Sequence, residues 1–339
     1  MNSPTVIAPI RFGLIGVDSP HAPSFARLFG DGFDGAVPGG TVTHAWKGVP
    51  ASDFPLGRDR VDDFADQVAA LGVTLCDSPE AVAEACDALL IVASDARMHP
   101  EYFKRVVGYG KPVYVDTRFA PTLAEARAML TLADASGTLV LAGSPKRFTP
   151  EFRAAVSSGR PRRVVLDGPL PTQPGHPGFS WYGVHLVDLA VAALGPGVIA
   201  EGAIVDAGAA AAAVRDADGA SDRSGGAPPS YCSLKATIRW VDGREAVLGG
   251  DVEWSPQTTG HLEPRMDGSA FSIEAGESML AGLLEGIVES VRTGTPNVPW
   301  AEILDIVALV EAINRSLDTG SPVSFRSSCL LALQPERTL

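Results

Sequence analysis

The chain has 339 residues, 45% of them apolar, and a formal net charge of −13. That length suits two domains with sizeable cores, and the acidity argues against nucleic acid or an anionic membrane surface as main partner, because both reward a basic patch. No run approaches the ~18–20 apolar residues of a membrane span, and the start MNSPTVIAPIRF lacks the basic onset and long apolar stretch of a signal peptide, so a cytoplasmic location is expected. The cysteines Cys76, Cys86, Cys232 and Cys329 are scattered without a C-x-x-C pair, which favours reduced thiols over a thiolate metal site.

In chain order, the first half alternates β-type runs with helical stretches. Strands are expected at Ile10–Ile15, Thr41–Trp46, Ala88–Ala93, Val113–Val115 and Leu139–Ala142, and helices at Pro23–Phe29, Arg58–Leu71, Pro79–Ala85, Pro100–Gly108 and Leu123–Ser136. Strands separated by helices of that length imply parallel pairing with right-handed crossovers, hence a doubly wound α/β sheet. The run Leu89-Leu90-Ile91-Val92 is apolar throughout, as a strand buried on both faces should be.

After Thr149 the character changes. A helix at Glu151–Ser158 and a strand at Arg163–Asp167 lead into DGPLPTQPGHPGF, whose prolines make it a loop. A helix at Gly183–Leu194 follows. Strands are then expected at Ala203–Ala207, Ala209–Val214, Cys232–Trp240 and Glu245–Val252, with a polar loop at Asp216–Pro229. Helices at Ser278–Thr293 and Trp300–Asp318 close the chain and are expected to pack back towards the first domain. Strands with helices to one side predict an α+β domain with an open, largely antiparallel sheet. The division is set at residues 1–148 and 149–339.

The turn after the first strand, GLIGVDSPH, resembles a dinucleotide fingerprint with substitutions. In G-x-G-x-x-G the second glycine admits the pyrophosphate and the third allows close helix–strand packing. Here Gly16 supplies the first turn, while Asp18 and His21 stand at the second and third positions. A carboxylate beside phosphate is repelled by about 1 kcal/mol in water and several when partly buried. Two readings stand together: Asp18 and His21 rebuild the site, or Asp18 and Ser19 cap the following helix. At the end of the second strand, where an acidic residue would meet the adenosine ribose, stands Lys47, with Arg58 and Arg60 downstream. That suits the 2′-phosphate of NADP(H), or is a solvated loop lysine.

Further landmarks agree in order: ALLIVASDARMHPEYFKRVVGYGKPVYVD over Ala88–Asp116, SGTLVLAGSPKRFTPEF with its RF-x-P segment at Arg147–Pro150, YGVHLVDL at Tyr182–Leu189, and the closing MLAGLLEGIVESVRTGTPNVPWAEILDIVALVEAINRSLDTGSPV. With GLIG, these resemble the Gfo/Idh/MocA family of glucose-fructose oxidoreductase and inositol dehydrogenase relatives over nearly the whole length. The resemblance implies a Rossmann-type domain followed by an α+β domain whose sheet makes a homodimer or homotetramer. It also implies NAD(P)-dependent oxidation or reduction of a sugar, cyclitol or related small polar molecule. On that pattern Gly13, Gly16, Asp18, Ser19, His21, Lys47, Ser94, His99 and Asp116 surround the cofactor, NADP being slightly favoured over NAD.

The catalytic positions depart from the family. Its usual Glu-Lys-Pro is here Asp116-Thr117-Arg118, and threonine supplies neither charge nor a titration near neutrality. The usual aspartate four residues before the histidine is Trp181. His185 remains, suited to acid/base work near neutrality, with Asp188 at i+3 to orient it. Thr117, Arg118 and Tyr182 are candidates to position substrate, with Trp181 and His176 nearby. Convergence of Asp18, His21, His99, Asp116, His176 and His185 on a metal is the weaker reading, since no local ligand spacing supports it, and no metal is expected. Two alternatives to the oxidoreductase stand: a lyase, decarboxylase or hydrolase using His185 with Asp18 or His21, and a non-catalytic ligand-binding homologue.

Overall fold

The computed structural model describes residues 8–157, 159–211, 231–264 and 269–325. The first half builds β1 (Ile10–Ile15), α1 (His21–Phe29), β2 (Gly40–Trp46), the single turn α2 (Pro55–Arg58), α3 (Val61–Ala70), β3 (Thr74–Cys76), α4 (Pro79–Ala85), β4 (Ala88–Ile91), α5 (His99–Val106), β5 (Val113–Val115), α6 (Leu123–Ser136) and β6 (Val140–Leu141). The strands lie in the order β3-β2-β1-β4-β5-β6, all parallel. Every residue of β4 is buried, as its unbroken apolar run predicted. Strand order reverses between β1 and β4, so a crevice forms past their carboxyl ends, where such sheets bind ligands.

The remainder gives α7 (Pro150–Ser157), β7 (Arg163–Asp167), α8 (Gly183–Leu194), β8 (Ala203–Ala211), β9 (Tyr231–Trp240), β10 (Glu245–Asp251), β11 (Gln257–Glu263), β12 (Ala270–Glu274), α9 (Glu277–Thr293), α10 (Trp300–Thr319) and β13 (Val323–Phe325). Their sheet runs β12-β11-β7-β10-β9-β8-β13 and is antiparallel except at β7–β10. The α/β sheet followed by a mostly antiparallel sheet is the fold class expected from the sequence.

Several element expectations need correction. α1 starts at His21, not Pro23, because Ser19 Oγ already accepts the His21 N–H at 3.2 Å. The stretch expected as one helix from Arg58 splits into α2 and α3, and β4 stops at Ile91. β8 is one strand through Ala211, since its pairing with β9 carries the small residues Gly208–Ala210 without a break; residues 212–230, including the expected polar loop, lie outside the described residues. Strands β3, β11 and β12 escaped the sequence reading, being short or rich in polar residues and glycine.

Helix α8 is buried along almost its whole length, which fixes everything it carries. Leu280, Leu283, Leu284, Ile287 and Val288 of α9 recur at helical spacing and join the core of the first sheet. Helix α10 divides itself: Ile303 and Val307 enter that core, while Ile306, Leu309, Ala312 and Ile313 enter the core of the second sheet.

Candidate functional site

Past the carboxyl ends of β1, β4 and β5 lies an open cleft of about 320 Å³, roofed by the loop before α8 and by Trp254. His21, Ser94, Asp116, Thr117, Arg118, Tyr182 and His185 all line it. These residues, singled out from the sequence, share one cleft, and others singled out with them lie elsewhere.

His185 projects from the first turn of α8. Its Nδ1 lies 2.7 Å from Ser144 Oγ, and Tyr182 packs edge-on at 5.6 Å between ring centroids. Burial first, then the charges of Lys146 and Arg118, push the imidazole well below its ordinary value, so the ring is neutral near pH ~7. Asp188 does not touch His185, contrary to expectation. Its Oδ2 accepts the Ser144 backbone N–H at 2.9 Å and it faces Arg147 at 3.4 Å, so it holds the loop that holds the histidine. The signal for Ser144 was its place just after a parallel strand, in AGSPKRF.

His21 sits in the first turn of α1, stacked on Phe25 one helical turn on (centroids 5.3 Å). Its Nδ1 is 2.6 Å from Asp116 Oδ2, while Asp116 Oδ1 accepts Tyr114 Oη–H and the Thr117 N–H, each at 2.8 Å. Burial alone would raise the Asp116 carboxyl. The neighbouring His21 and these hydrogen bonds outweigh it and hold the group well below the usual carboxylate range. Arg118 adopts φ 71°, a left-handed conformation that costs a non-glycine residue energy. The strain folds its guanidinium over the Trp181 ring, 4.0 Å from the centroid, with N–H groups donated to the Trp181 and Ser94 carbonyls at 3.1 and 2.9 Å. Thr117 Oγ1 is buried and unpartnered among the described residues. Thr117 also lines a second cavity of about 70 Å³.

The turn expected to hold pyrophosphate is closed by the chain itself. Asp18 is only 3% exposed. Its Oδ1 accepts the Ser94 N–H at 3.0 Å and its carbonyl accepts Ser94 Oγ–H at 3.1 Å, joining the loops after β1 and β4. The segment between β2 and α3 lies on top. A Cβ on Gly57 would come within 2.3 Å of Asp18 Oδ2, and Arg60 donates to the Asp18 carbonyl at 3.2 Å. Phe54 is fully buried against His176 and Trp181. Arg97 ties Asp53 to Asp95 with contacts of 2.7–2.8 Å. A dinucleotide pyrophosphate does not fit this turn as it is folded.

Other assignments change for similar reasons. Asp18 does not cap α1, because its carboxylate turns away to Ser94, whereas Ser19 does bond the helix. Gly13 is a packing glycine of β1, where a Cβ would meet Val82 of α4 at 2.3 Å. Lys47 is paired with Asp62, and Arg58 with Asp59, both on the exposed surface. His99 is fully buried between the Ala93 and Arg118 carbonyls, at 2.8 and 3.2 Å, and does not reach the cleft. His176 Nε2 accepts the Ala96 N–H at 3.3 Å, and burial pushes its ring down to about 4. Among the described residues no group of three or more His, Cys, Asp or Glu side chains could hold a metal ion. Cys76 and Cys86 are free thiols.

Comparison with solved structures addresses the fold. A putative myo-inositol dehydrogenase from Sinorhizobium meliloti 1021 superposes with a TM-score of 0.68 at 17% identity, over 94% of this chain and 100% of that one. GenD2 from gentamicin A biosynthesis, solved with NAD, gives 0.70 at 14% identity over 96% and 99%. The fold is that of these dehydrogenases. An uncharacterized oxidoreductase of Escherichia coli K12, YhhX, is 34% identical over 121 residues, which are 32% of this chain and 35% of that protein. The matched stretch thus spans about a third of the curated relative. No family model matches the chain. No described helix is long and apolar enough to cross a membrane.

Proposed function

We propose that this chain is an oxidoreductase of the dehydrogenase type, interconverting a hydroxyl and a carbonyl on a small polar, sugar- or cyclitol-like molecule held in the cleft, with NAD(P) as hydride partner. The observation that carries the reading is His185, held by Ser144 at 2.7 Å in a polar cleft at the switch point of a dehydrogenase fold. Its neutral ring can pass a proton to or from the substrate oxygen. Thr117, Tyr182 and the strained Arg118 shape and polarise the cleft around it. Nucleotide entry requires the segment of residues 48–60 to lift from Asp18. A preference for NADP over NAD rests on Lys47 exchanging Asp62 for a phosphate.

One observation favours a second reading. The Asp18–Ser94 hydrogen bonds close the pyrophosphate turn, as they would in a lyase, decarboxylase or hydrolase that has left redox chemistry. Turnover separates the two. Purified protein is mixed with NADPH or NADH and a panel of cyclic ketones and aldoses, or with the oxidised cofactors and polyols, and nicotinamide absorbance is followed. Cofactor-dependent turnover supports the oxidoreductase; none with any combination supports the second reading. His185→Ala should lower turnover by about 10²–10⁴-fold with circular dichroism unchanged. Undiminished turnover removes the role.

A further inference from the structure

The cleft is lined by two imidazoles, each with a hydrogen-bond partner at Nδ1. Asp116 is a buried carboxylate that can only accept, so His21 Nδ1, at 2.6 Å, carries the hydrogen and donates it. In the neutral ring Nε2 then bears the lone pair. His21 is 22% exposed and lines the cleft. The second ring is set the other way. Ser144 is fully buried, and its Oγ already receives the Lys146 N–H at 3.3 Å. We assign the hydroxyl hydrogen to His185 Nδ1, 2.7 Å away, which places the ring hydrogen on Nε2. On this assignment His21 offers the cleft a base and His185 a hydrogen-bond donor.

We propose that this pair enolises a small hydroxy ketone or hydroxy aldehyde without any cofactor. His21 Nε2 takes the proton from the carbon next to the carbonyl. The C–H electron pair becomes the C=C bond, and the carbonyl π pair moves to oxygen, giving an enediolate. His185 Nε2–H donates to that oxygen, and Arg118 lines the same cleft. Asp116 balances the charge His21 then carries. Return of a proton from His21 restores both rings, and nothing is oxidised or reduced. The inference rests on the same cleft as the proposed function but on no nucleotide.

The test is proton exchange at carbon. Protein shown by mass spectrometry to be free of nucleotide is incubated in D2O with dihydroxyacetone, D-fructose or D-ribulose, and loss of the signal from hydrogen beside the carbonyl is followed by proton NMR. The expected result is exchange above the buffer rate for at least one probe, with the excess lowered at least tenfold in His21→Gln, Asp116→Asn and His185→Gln. Exchange at the buffer rate for all three probes overturns the inference, as does full exchange by folded His21→Gln. Should a variant fail to fold, diethyl pyrocarbonate serves on the wild type: exchange should fall in step with labelling of His21 in peptide maps. Exchange that survives labelling overturns the assignment. A nicotinamide turnover assay fails or succeeds independently of this one, so the two readings are separable.

Discussion

Lys146 carries a consequence beyond the cleft. It is 3% exposed and reaches Thr258 Oγ1 at 2.8 Å, and burial lowers its amine from 10.5 to about 8. Below about 8 both folded and unfolded chains hold this proton. Between about 8 and 10.5 the unfolded chain still holds a proton that the folded one has released, so this group makes stability rise with pH across that window. The rise is on the order of 3 kcal/mol. Lys146→Met should remove it in urea titrations made below and above the window; the same rise in wild type and variant would contradict the account. At this scale the sequence named His185, Tyr182, Thr117 and Arg118 as cleft residues, because a histidine motif and the end of a parallel strand are local signals. It missed Ser144 and Lys146, whose parts depend on partners 41 and 112 residues away. It also gave His99 a ligand role that two backbone carbonyls occupy instead.

Among the elements, the connection between β2 and α3 departs furthest from expectation. The sequence offered it as a charged approach to an adenosine ribose, and it packs as core. Phe54 is fully buried between His176 and Trp181, and Tyr102 Oη fixes the backbone of Val49 at 2.9 and 3.2 Å. Phe54→Ala should cost about 3–5 kcal/mol. It should also raise proteolysis between residues 48 and 60; an unchanged melting temperature and cleavage pattern would show that the segment is not held this way. The periodic helices and apolar strands of the first sheet were legible because their patterns are set by burial on regular faces. Strands β11 and β12 were not, because QTTGHLE and AFSIE carry polar residues on an outer face and a glycine against Phe271.

For the whole molecule, α10 ties the two cores together, and the cleft is lined by residues of both halves of the chain, so the imidazoles of α1 and α8 are set by packing that spans both sheets. The order of the motifs disclosed this architecture because each marks the end of an element of the fold. Whether the fold still takes its nucleotide turns on one carboxylate. Asp18, buried and raised by that burial despite the Ser94 hydrogen bond, stands where a pyrophosphate would lie. Removing it should relieve a repulsion of about 1 kcal/mol or more and free the Ser94 N–H. Calorimetric titration of wild type and Asp18→Gly with NADPH and NADH tests this most directly. The account predicts weak binding by the wild type and about fivefold or more tighter binding by Asp18→Gly. Equal affinities, or no binding by either protein at millimolar nucleotide, would contradict it.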